Sequence, residues 1–284
     1  MNVKTVLFAW MLMAALAGLV PPAHAGKIIV KSPDALVPVA QQWAAEYMSK
    51  HRQVRIQVSG GGSGAGLAVL QNQTAGLCLA ARQISGDELA HCVLALGRRP
   101  SEYKVAQEAL FILVHTNNPV QELSVAQLAA IFSGRIRNWK AVGGLDAFIT
   151  VYGQGAASGA SELLKEQVLL GSDFAASMQT APGAAALVQA VARDVKGIGY
   201  GSAAGDRSVK VLPIKKDETS PAIVPNEETV LNGAYPLRRY LRFYVNPAWD
   251  QGEISAYLDW MRGDEGQKIV EDAGFFRLPK NLRE

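Results

Sequence analysis

The sequence predicts an α/β fold of two lobes joined by crossing strands, and three observations support this. The chain has 284 residues, of which 49% are hydrophobic and 19% charged, which fits two lobes with buried cores. Short β-rich runs alternate with helical patterns, as in parallel strands connected by crossover helices. The alternation is interrupted at the turn Asn117–Pro119 and then starts again. The turn therefore marks a predicted crossing into the second lobe.

The first 25 residues have the pattern of a secretory signal peptide. Lys4 precedes an apolar run from Val6 to Val20, and Ala23–Ala25 forms a small-x-small cleavage site. The apolar run is about 15 residues long, short of the roughly 20 that span a bilayer. We expect cleavage after Ala25 and a mature periplasmic protein.

The first half of the mature chain alternates strand and helix in a regular order. β-Branched and apolar runs predict strands, and apolar residues at helical spacing predict helices. In order, these are strand Lys27–Lys31, helix Val37–His51, strand Arg55–Ser59, helix Gly62–Gln73, buried strand Ala75–Ala81 and apolar strand Ala109–Thr116.

The second half begins with a helix that has a serine N-cap and a glycine stop, Ser124–Gly134. The same criteria then predict strand Phe148–Gly153, helices Ser158–Leu169 and Ala181–Asp194, strands Gly197–Ser202 and Tyr240–Asn246, and a last helix, Ile254–Gly274.

Charge and cysteine content exclude some classes of function. The net charge is +3, from 28 basic and 25 acidic residues, and no run of four basic residues occurs, so a nucleic-acid partner is not expected. Cys78 and Cys92 are 14 residues apart in an exported chain. A disulfide and two separate buried thiols both remain open. Two thiols without a histidine cluster do not predict a metal site, and no cofactor is expected.

Three strand ends share one design: a strand, a turn of small residues and a helix start. They lie at Lys31–Ala35, Ser59–Gly66 and Gly153–Ala160. Unpaired N–H groups and a partial positive charge at a helix N-terminus attract anions, while glycine permits close approach and serine adds a hydroxyl donor. Each turn alone is equally consistent with an ordinary helix cap. Together, they predict one anion site between two lobes.

Several longer stretches of the chain carry a family resemblance. Among them are VSGGGSGAGLAVLQNQTAGLCLAAR, LSVAQLAAIFSGRIRNW, YGQGAASGASELLKEQVL and YPLRRYLRFYVN. From about Ile28 to Leu278, the chain resembles the phosphate-binding proteins of high-affinity phosphate ABC importers. The resemblance implies a type II periplasmic-binding-protein fold, in which each lobe is a mixed, mostly parallel sheet flanked by helices and hinge strands join the lobes. We expect residues 26–111 and 234–284 to form lobe 1 and residues 112–233 to form lobe 2.

The resemblance also implies where the anion is bound. The family's ligands fall at the first turn, the glycine-rich turn, the end of the third strand and the start of a helix in lobe 2. The corresponding residues here are Ser32, Pro33 and Ala35, then Ser63 and Gly64, then Arg82, and finally Gln154, Ser158, Gly159 and Ala160.

Three of these positions depart from the family pattern. Ala35 and Ala160 replace threonines, and Gln154 replaces an arginine, so two hydroxyls and one guanidinium are lost. A neutral hydrogen bond contributes about 0.5–1.5 kcal/mol and one to a charged group about 1.5–3 kcal/mol, so we expect weakened phosphate binding. Arg82 is then the one cationic side chain expected in the cleft.

The function that follows from the resemblance is capture of phosphate or a phosphate-like oxyanion by hinged lobe closure, with delivery to the membrane subunits of an ABC permease. A monomer is expected. The alternative is an exported sensor or interaction module with altered or lost ligand binding, which the missing donors favour. Ser63 and Ser158 have no histidine nearby in sequence, so no catalytic residues and no enzyme activity are predicted.

Overall fold

The computed structural model describes residues 27–74, 76–156, 158–201 and 207–283. The predicted signal peptide, residues 1–25, lies outside these ranges. Within them, no helix has both the length and the apolar character needed to cross a membrane.

Helices and strands alternate along most of the described chain. The strands are β1 Lys27–Lys31, β2 Arg55–Ser59, β3 Leu77–Ala80, β4 Ser101–Ala109, β5 Phe111–His115, β6 Leu123–Ser124, β7 Thr150–Gln154, β8 Gln179–Ala181, β9 Gly197–Gly201, β10 Val209–Leu212, β11 Ile214–Lys215, β12 Ala222–Ile223 and β13 Arg238–Val245. The α-helices are α1 Val37–Lys50, α2 Gly62–Gln71, α3 Gly86–Leu96, α4 Val125–Phe132, α5 Gly159–Gln167, α6 Ala184–Arg193, α7 Glu227–Leu231, α8 Glu253–Arg262 and α9 Asp264–Asp272.

Two five-stranded sheets organise the described chain, with strand orders β2-β1-β3-β13-β4 and β10-β5-β9-β7-β8. In the first, β1 pairs in parallel with β2 and β3, and β13 runs antiparallel to β3 and β4. In the second, β7 is parallel to β8 and β9, while β5 is antiparallel to β9 and β10. The sheets are thus mixed, as predicted, but antiparallel pairings are as frequent as parallel ones because β5 and β13 each run against their neighbours. A small third sheet joins β12, β11 and β6.

Each five-stranded sheet has its own hydrophobic core. Trp43 of α1 is fully buried against the first sheet and donates its indole N–H to the carbonyl oxygen of Gly266 at 2.8 Å. Trp139 is fully buried in the core of the second sheet and donates to the carbonyl oxygen of Lys196 at 2.9 Å. Both tryptophans are therefore packing residues whose single polar atom is satisfied.

The chain crosses between the sheets at Leu110. The predicted strand Ala109–Thr116 is divided there, because β4 ends at Ala109 in the first sheet and β5 begins at Phe111 in the second. Leu110 donates its N–H to the carbonyl oxygen of Leu237 at 2.9 Å and accepts from the Tyr235 hydroxyl at 2.8 Å. These two bonds satisfy the backbone at the crossing, so an uninterrupted apolar sequence can change sheets. The turn at Asn117–Pro119 follows β5 and is not the crossing.

Glycines set the limits of two helices. The last predicted helix is divided at Gly263, whose extended backbone (φ −71°, ψ 174°) separates α8 from α9. Helix α3 ends at Leu96 and is followed by Gly97, which has a left-handed φ of 73°. Glycine is favoured at that position because it has no Cβ to obstruct a positive φ.

The two cysteines are free thiols, so no disulfide is formed. Both side chains are fully buried beside α2. Burial raises the pKa of Cys78 to about 12 and also raises the pKa of Cys92. Both therefore act as small buried side chains.

Candidate functional site

The glycine-rich turn after β2 places the start of α2 at the edge of a cavity of about 760 Å³. Gly61 and Gly62 have positive φ angles of 130° and 81°, which glycine adopts at little cost, and Gly61 donates its N–H to Asp34 Oδ1 at 3.1 Å. Ser63 and Gly64 then line the cavity. The Ser63 hydroxyl oxygen accepts a hydrogen bond from the N–H of Ala81 at 3.4 Å, so its own proton remains available for a ligand.

Arg82 lines the same cavity but its charge is already compensated. Its two terminal nitrogens donate to the two carboxylate oxygens of Glu88 at 2.7 and 2.6 Å. These hydrogen bonds hold the pKa of Glu88 at about 2, and the pKa of Arg82 is raised in return. Such a bidentate pair leaves less of the guanidinium available to an anion.

Gln154 also lines the larger cavity and ends β7, shortly before the start of α5. Ser158, at the N-cap position, donates its hydroxyl proton to Gln154 Oε1 at 2.8 Å. A serine hydroxyl has one proton, so Ser158 has none left for a ligand while this bond is formed. Gln154 therefore occupies the hydroxyl proton of a neighbouring potential donor.

Ala35, Ser158, Gly159 and Ala160 surround a second, smaller cavity of about 170 Å³, which Gln154 also lines. A Cβ atom placed on Gly159 would lie 3.3 Å from the Ala35 methyl, so the first turn almost touches the α5 start. This volume is several times the roughly 30 Å³ that one water molecule occupies in the liquid, so the cavity has room for a small ligand.

The structure thus distributes the predicted residues over two cavities that share Gln154 as a lining residue. Ser63, Gly64 and Arg82 line the larger cavity, and Ala35, Ser158, Gly159 and Ala160 line the smaller. Ser32 lines neither: it is fully buried and donates its hydroxyl to the carbonyl oxygen of Pro33 at 3.0 Å.

Arg239 is the main site residue that the sequence did not reveal. It is only 7% exposed and lines the larger cavity. Its guanidinium contacts Glu108 Oε2 at 2.8 Å, the Gly159 carbonyl oxygen at 3.1 Å and Glu166 Oε2 at 3.4 Å. Arg239 lies on β13, which is an interior strand between β3 and β4, so its side chain is not at a solvated edge of the sheet.

Three cations line the larger cavity, so the expectation that Arg82 is the single one is also wrong. Besides Arg82 and Arg239, Lys165 lines it and forms an ion pair with Asp173 at 2.8 Å. Each of the three has a carboxylate partner within the described chain. The unpaired N–H groups at the starts of α2 and α5 are therefore the main remaining attraction for an anion.

Among the described residues, no group of three or more histidine, cysteine, aspartate or glutamate side chains is placed to hold a metal ion. The candidate site thus consists of backbone donors, hydroxyls and compensated charges, which are the components of an oxyanion site.

Comparison with known proteins identifies the fold and the family. Residues 21–265 match the family model described as a PBP superfamily domain. A solved ABC-type phosphate transport receptor from Vibrio cholerae is similar with a TM-score of 0.75 and 22% identity, over 89% of this chain and 100% of that chain. A possible phosphate-binding protein from Planctomyces limnophilus gives a TM-score of 0.78 and 24% identity, over 91% and 95% of the two chains. These similarities confirm the two-lobe type II fold.

Two relatives found by sequence comparison have a higher sequence identity to this chain than these two solved structures do. The phosphate-binding protein PstS of Pseudomonas aeruginosa is 32% identical, over 88% of this chain and 83% of the relative. PstS of Staphylococcus epidermidis is 28% identical, over 97% of this chain and 88% of the relative. The resemblance predicted from the sequence is confirmed, and the chain belongs to the PstS family within the PBP superfamily.

Proposed function

We propose that the chain is the exported solute-binding protein of an ABC importer and that it captures phosphate or a phosphate-like oxyanion. The observation that carries the proposal is the pair of helix starts, α2 with Ser63 and Gly64 and α5 with Gly159, at two cavities that share Gln154 as a lining residue. Two helix N-termini combine unpaired N–H donors with partial positive charge, which suits an oxyanion. The family, whose relatives include phosphate-binding proteins, supports the same ligand.

In the proposed mechanism, the anion binds between the lobes, which then close about the crossing strands. The lobes correspond to residues 26–111 with 234–284 and residues 112–233. Arg239 lies on β13 and donates to the Gly159 carbonyl oxygen, so a contact from this strand reaches the α5 start. The liganded, closed form is the one presented to the permease, and the protein acts as a monomer without enzymatic activity.

Export is part of the proposal. The predicted signal peptide would direct the chain to the periplasm, where cleavage after Ala25 would release it. Intact-mass measurement of periplasmic material tests this: a soluble chain beginning at Gly26 is expected, whereas a membrane-retained species that keeps Met1 would contradict it.

Calorimetric titration of the mature protein with phosphate, with sulfate as the comparison, tests the ligand. We expect phosphate to bind, with a dissociation constant well above micromolar, because Ala35, Gln154 and Ala160 lack the family's donors. Absence of binding at millimolar phosphate would contradict phosphate capture. It would favour the sensor or interaction module, which the full compensation of the cavity cations also supports.

A further inference from the structure

A basic groove lies beside β13, adjacent to the candidate site but distinct from it. Its volume is about 670 Å³, within the range of small-molecule sites. Arg82, Arg239 and Glu166 form its boundary with the larger interlobe cavity, because these three residues line both. The remaining charged residues that line the groove are Lys216, Arg238 and Arg242.

Three cations surround one aromatic ring at this groove. The Lys104 ammonium lies 4.5 Å from the centroid of Tyr240, and the guanidinium carbons of Arg238 and Arg242 lie at 5.2 and 5.5 Å. The ring face attracts each cation, which offsets part of their mutual repulsion. It does not neutralise their charge.

The carboxylates near the groove compensate only part of this charge. Glu166, the one acidic residue lining it, contacts Arg239, and Glu102 binds Arg242 at 2.8 Å. Arg238 instead donates to the neutral side-chain oxygen of Gln107 at 3.0 Å. Within the described chain, Lys104, Lys216 and Arg238 make no ion pair with a carboxylate.

We propose that this groove binds a small polyvalent oxyanion of the diphosphate class. A concave site of this size takes a small molecule, and two of the cations that line it, Arg238 and Lys216, have no carboxylate partner among the described residues, so a ligand with two anionic groups matches them in charge. A diphosphate carries two linked tetrahedral groups, and in the proposed complex one contacts Arg238 and the other contacts Lys216. The inference does not depend on phosphate binding between the lobes.

The test is calorimetric titration of the mature protein with pyrophosphate in the presence of saturating orthophosphate, so that an interlobe phosphate site is already filled. We expect additional binding of one pyrophosphate that weakens as salt is raised. The double variant Arg238→Gln/Lys216→Gln should weaken this binding at least tenfold. The variant Arg98→Gln/Arg99→Gln, which removes two positive charges at exposed positions that line none of the cavities described, should bind as the wild type does.

Because Arg238 also contacts Gln107, the single variant Lys216→Gln provides a test without that structural contact. It alters an exposed side chain, and we expect it alone to weaken pyrophosphate binding severalfold with an unchanged thermal midpoint. Absence of pyrophosphate binding, or equal weakening by the groove and control variants, would overturn the proposal. Pyrophosphate binding that persists without any orthophosphate binding would instead contradict only the interlobe phosphate site.

Discussion

The carboxylate of Glu88 both caps helix α3 and forms an ion pair with Arg82. Its carboxylate accepts the N–H of Ser85 at 2.9 Å, which completes the capping box of α3, and it also binds both terminal nitrogens of Arg82. Helix capping therefore places an acid beside the arginine that the family resemblance assigns to the anion. A smaller negative charge at residue 88 would release the guanidinium without removing the cap.

The variant Glu88→Gln tests this release. Glutamine can still accept the Ser85 N–H but forms no ion pair, so Arg82 would contact the anion more strongly. We expect phosphate affinity to increase about tenfold, corresponding to roughly 1.4 kcal/mol. Ser85→Ala, which weakens the cap and leaves the ion pair, is the matched control. Unchanged affinity in Glu88→Gln would show that Arg82 does not face the ligand.

The same pair predicts a dependence of stability on pH. The pKa of Glu88 is lowered from 4.5 to about 2 by the Arg82 hydrogen bonds, so the folded chain binds this proton less tightly than the unfolded chain does. Its stabilising contribution is complete above pH 4.5 and decreases as the pH falls towards 2. Urea denaturation over this interval should show a smaller loss of stability in Glu88→Gln than in the wild type. Equal losses in both proteins would contradict this assignment.

At the scale of elements, the glycines at the start of α2 have different functions. A Cβ on Gly66 would lie 2.5 Å from the buried sulfur of Cys78, so glycine allows α2 to pack on β3. A Cβ on Gly64 would meet no atom within 4 Å. The pattern SGGGSGAG, which the sequence identified as an anion-binding turn, thus also contains a packing requirement.

Substitution of each glycine by alanine separates the two functions. We expect Gly66→Ala to lower the free energy of unfolding by about 1–3 kcal/mol because it overpacks the α2–β3 contact. Gly64→Ala should leave stability unchanged or raise it by up to about 1 kcal/mol, because alanine favours the helix. Urea denaturation without ligand measures both; equal effects would show that Cys78 moves aside.

β13 shows why some site residues were not accessible from the sequence. Local periodicity identified the strand at Tyr240–Asn246 but not its neighbours, because pairing with β3 and β4 joins residues more than a hundred positions apart. Arg239 is buried because β13 lies in the interior of the sheet, between β3 and β4. The glycine-rich turns, by contrast, are local signals, and their sequence shows directly that a helix begins there.

Arg239 should be important for stability because it is buried between its partners. Removing one member of a buried pair costs about 3–5 kcal/mol, since the other charge is left without compensation, and we expect this loss in Arg239→Met. Glu166→Gln should cost less than about 1 kcal/mol, because that carboxylate is 42% exposed. Chemical denaturation distinguishes them; a small effect of Arg239→Met would indicate that Glu108 is readily solvated.

At the scale of the whole molecule, alternation of strand and helix predicted two α/β lobes, and the resemblance supplied the two-lobe fold. The crossing at Leu110 was not predicted, because residues 109–116 form one uninterrupted apolar run and only hydrogen bonds to Tyr235 and Leu237 divide it. Likewise, the resemblance implied that Gln154 stands where the family has an arginine, but the sequence did not show that Gln154 binds the Ser158 hydroxyl. Nonlocal contacts account for both.

Restoring the family's donors tests whether the interlobe site is a weakened phosphate site. In Gln154→Arg/Ala160→Thr, a guanidinium and a hydroxyl return, and Ser158 regains a free hydroxyl proton because Gln154 Oε1 is gone. At about 1.5–3 kcal/mol for the charged contact and about 1 kcal/mol for the hydroxyl, affinity should rise roughly ten- to a thousandfold. The phosphate-dependent increase in thermal midpoint reports it, because this increase grows with ligand concentration relative to the dissociation constant.

The matched control is Gln154→Arg/Ala160→Val, since valine has nearly the shape of threonine without its hydroxyl. This variant should retain the increase in phosphate affinity that the arginine provides and lack the part that the threonine hydroxyl provides. A wild-type dissociation constant at or below micromolar would contradict the inference that Ala35, Gln154 and Ala160 impair the site. If the threonine variant binds no more tightly than the wild type, the helix starts that face the two cavities are not arranged for phosphate, because adding donors to an intact cradle must strengthen the binding of a charged oxyanion.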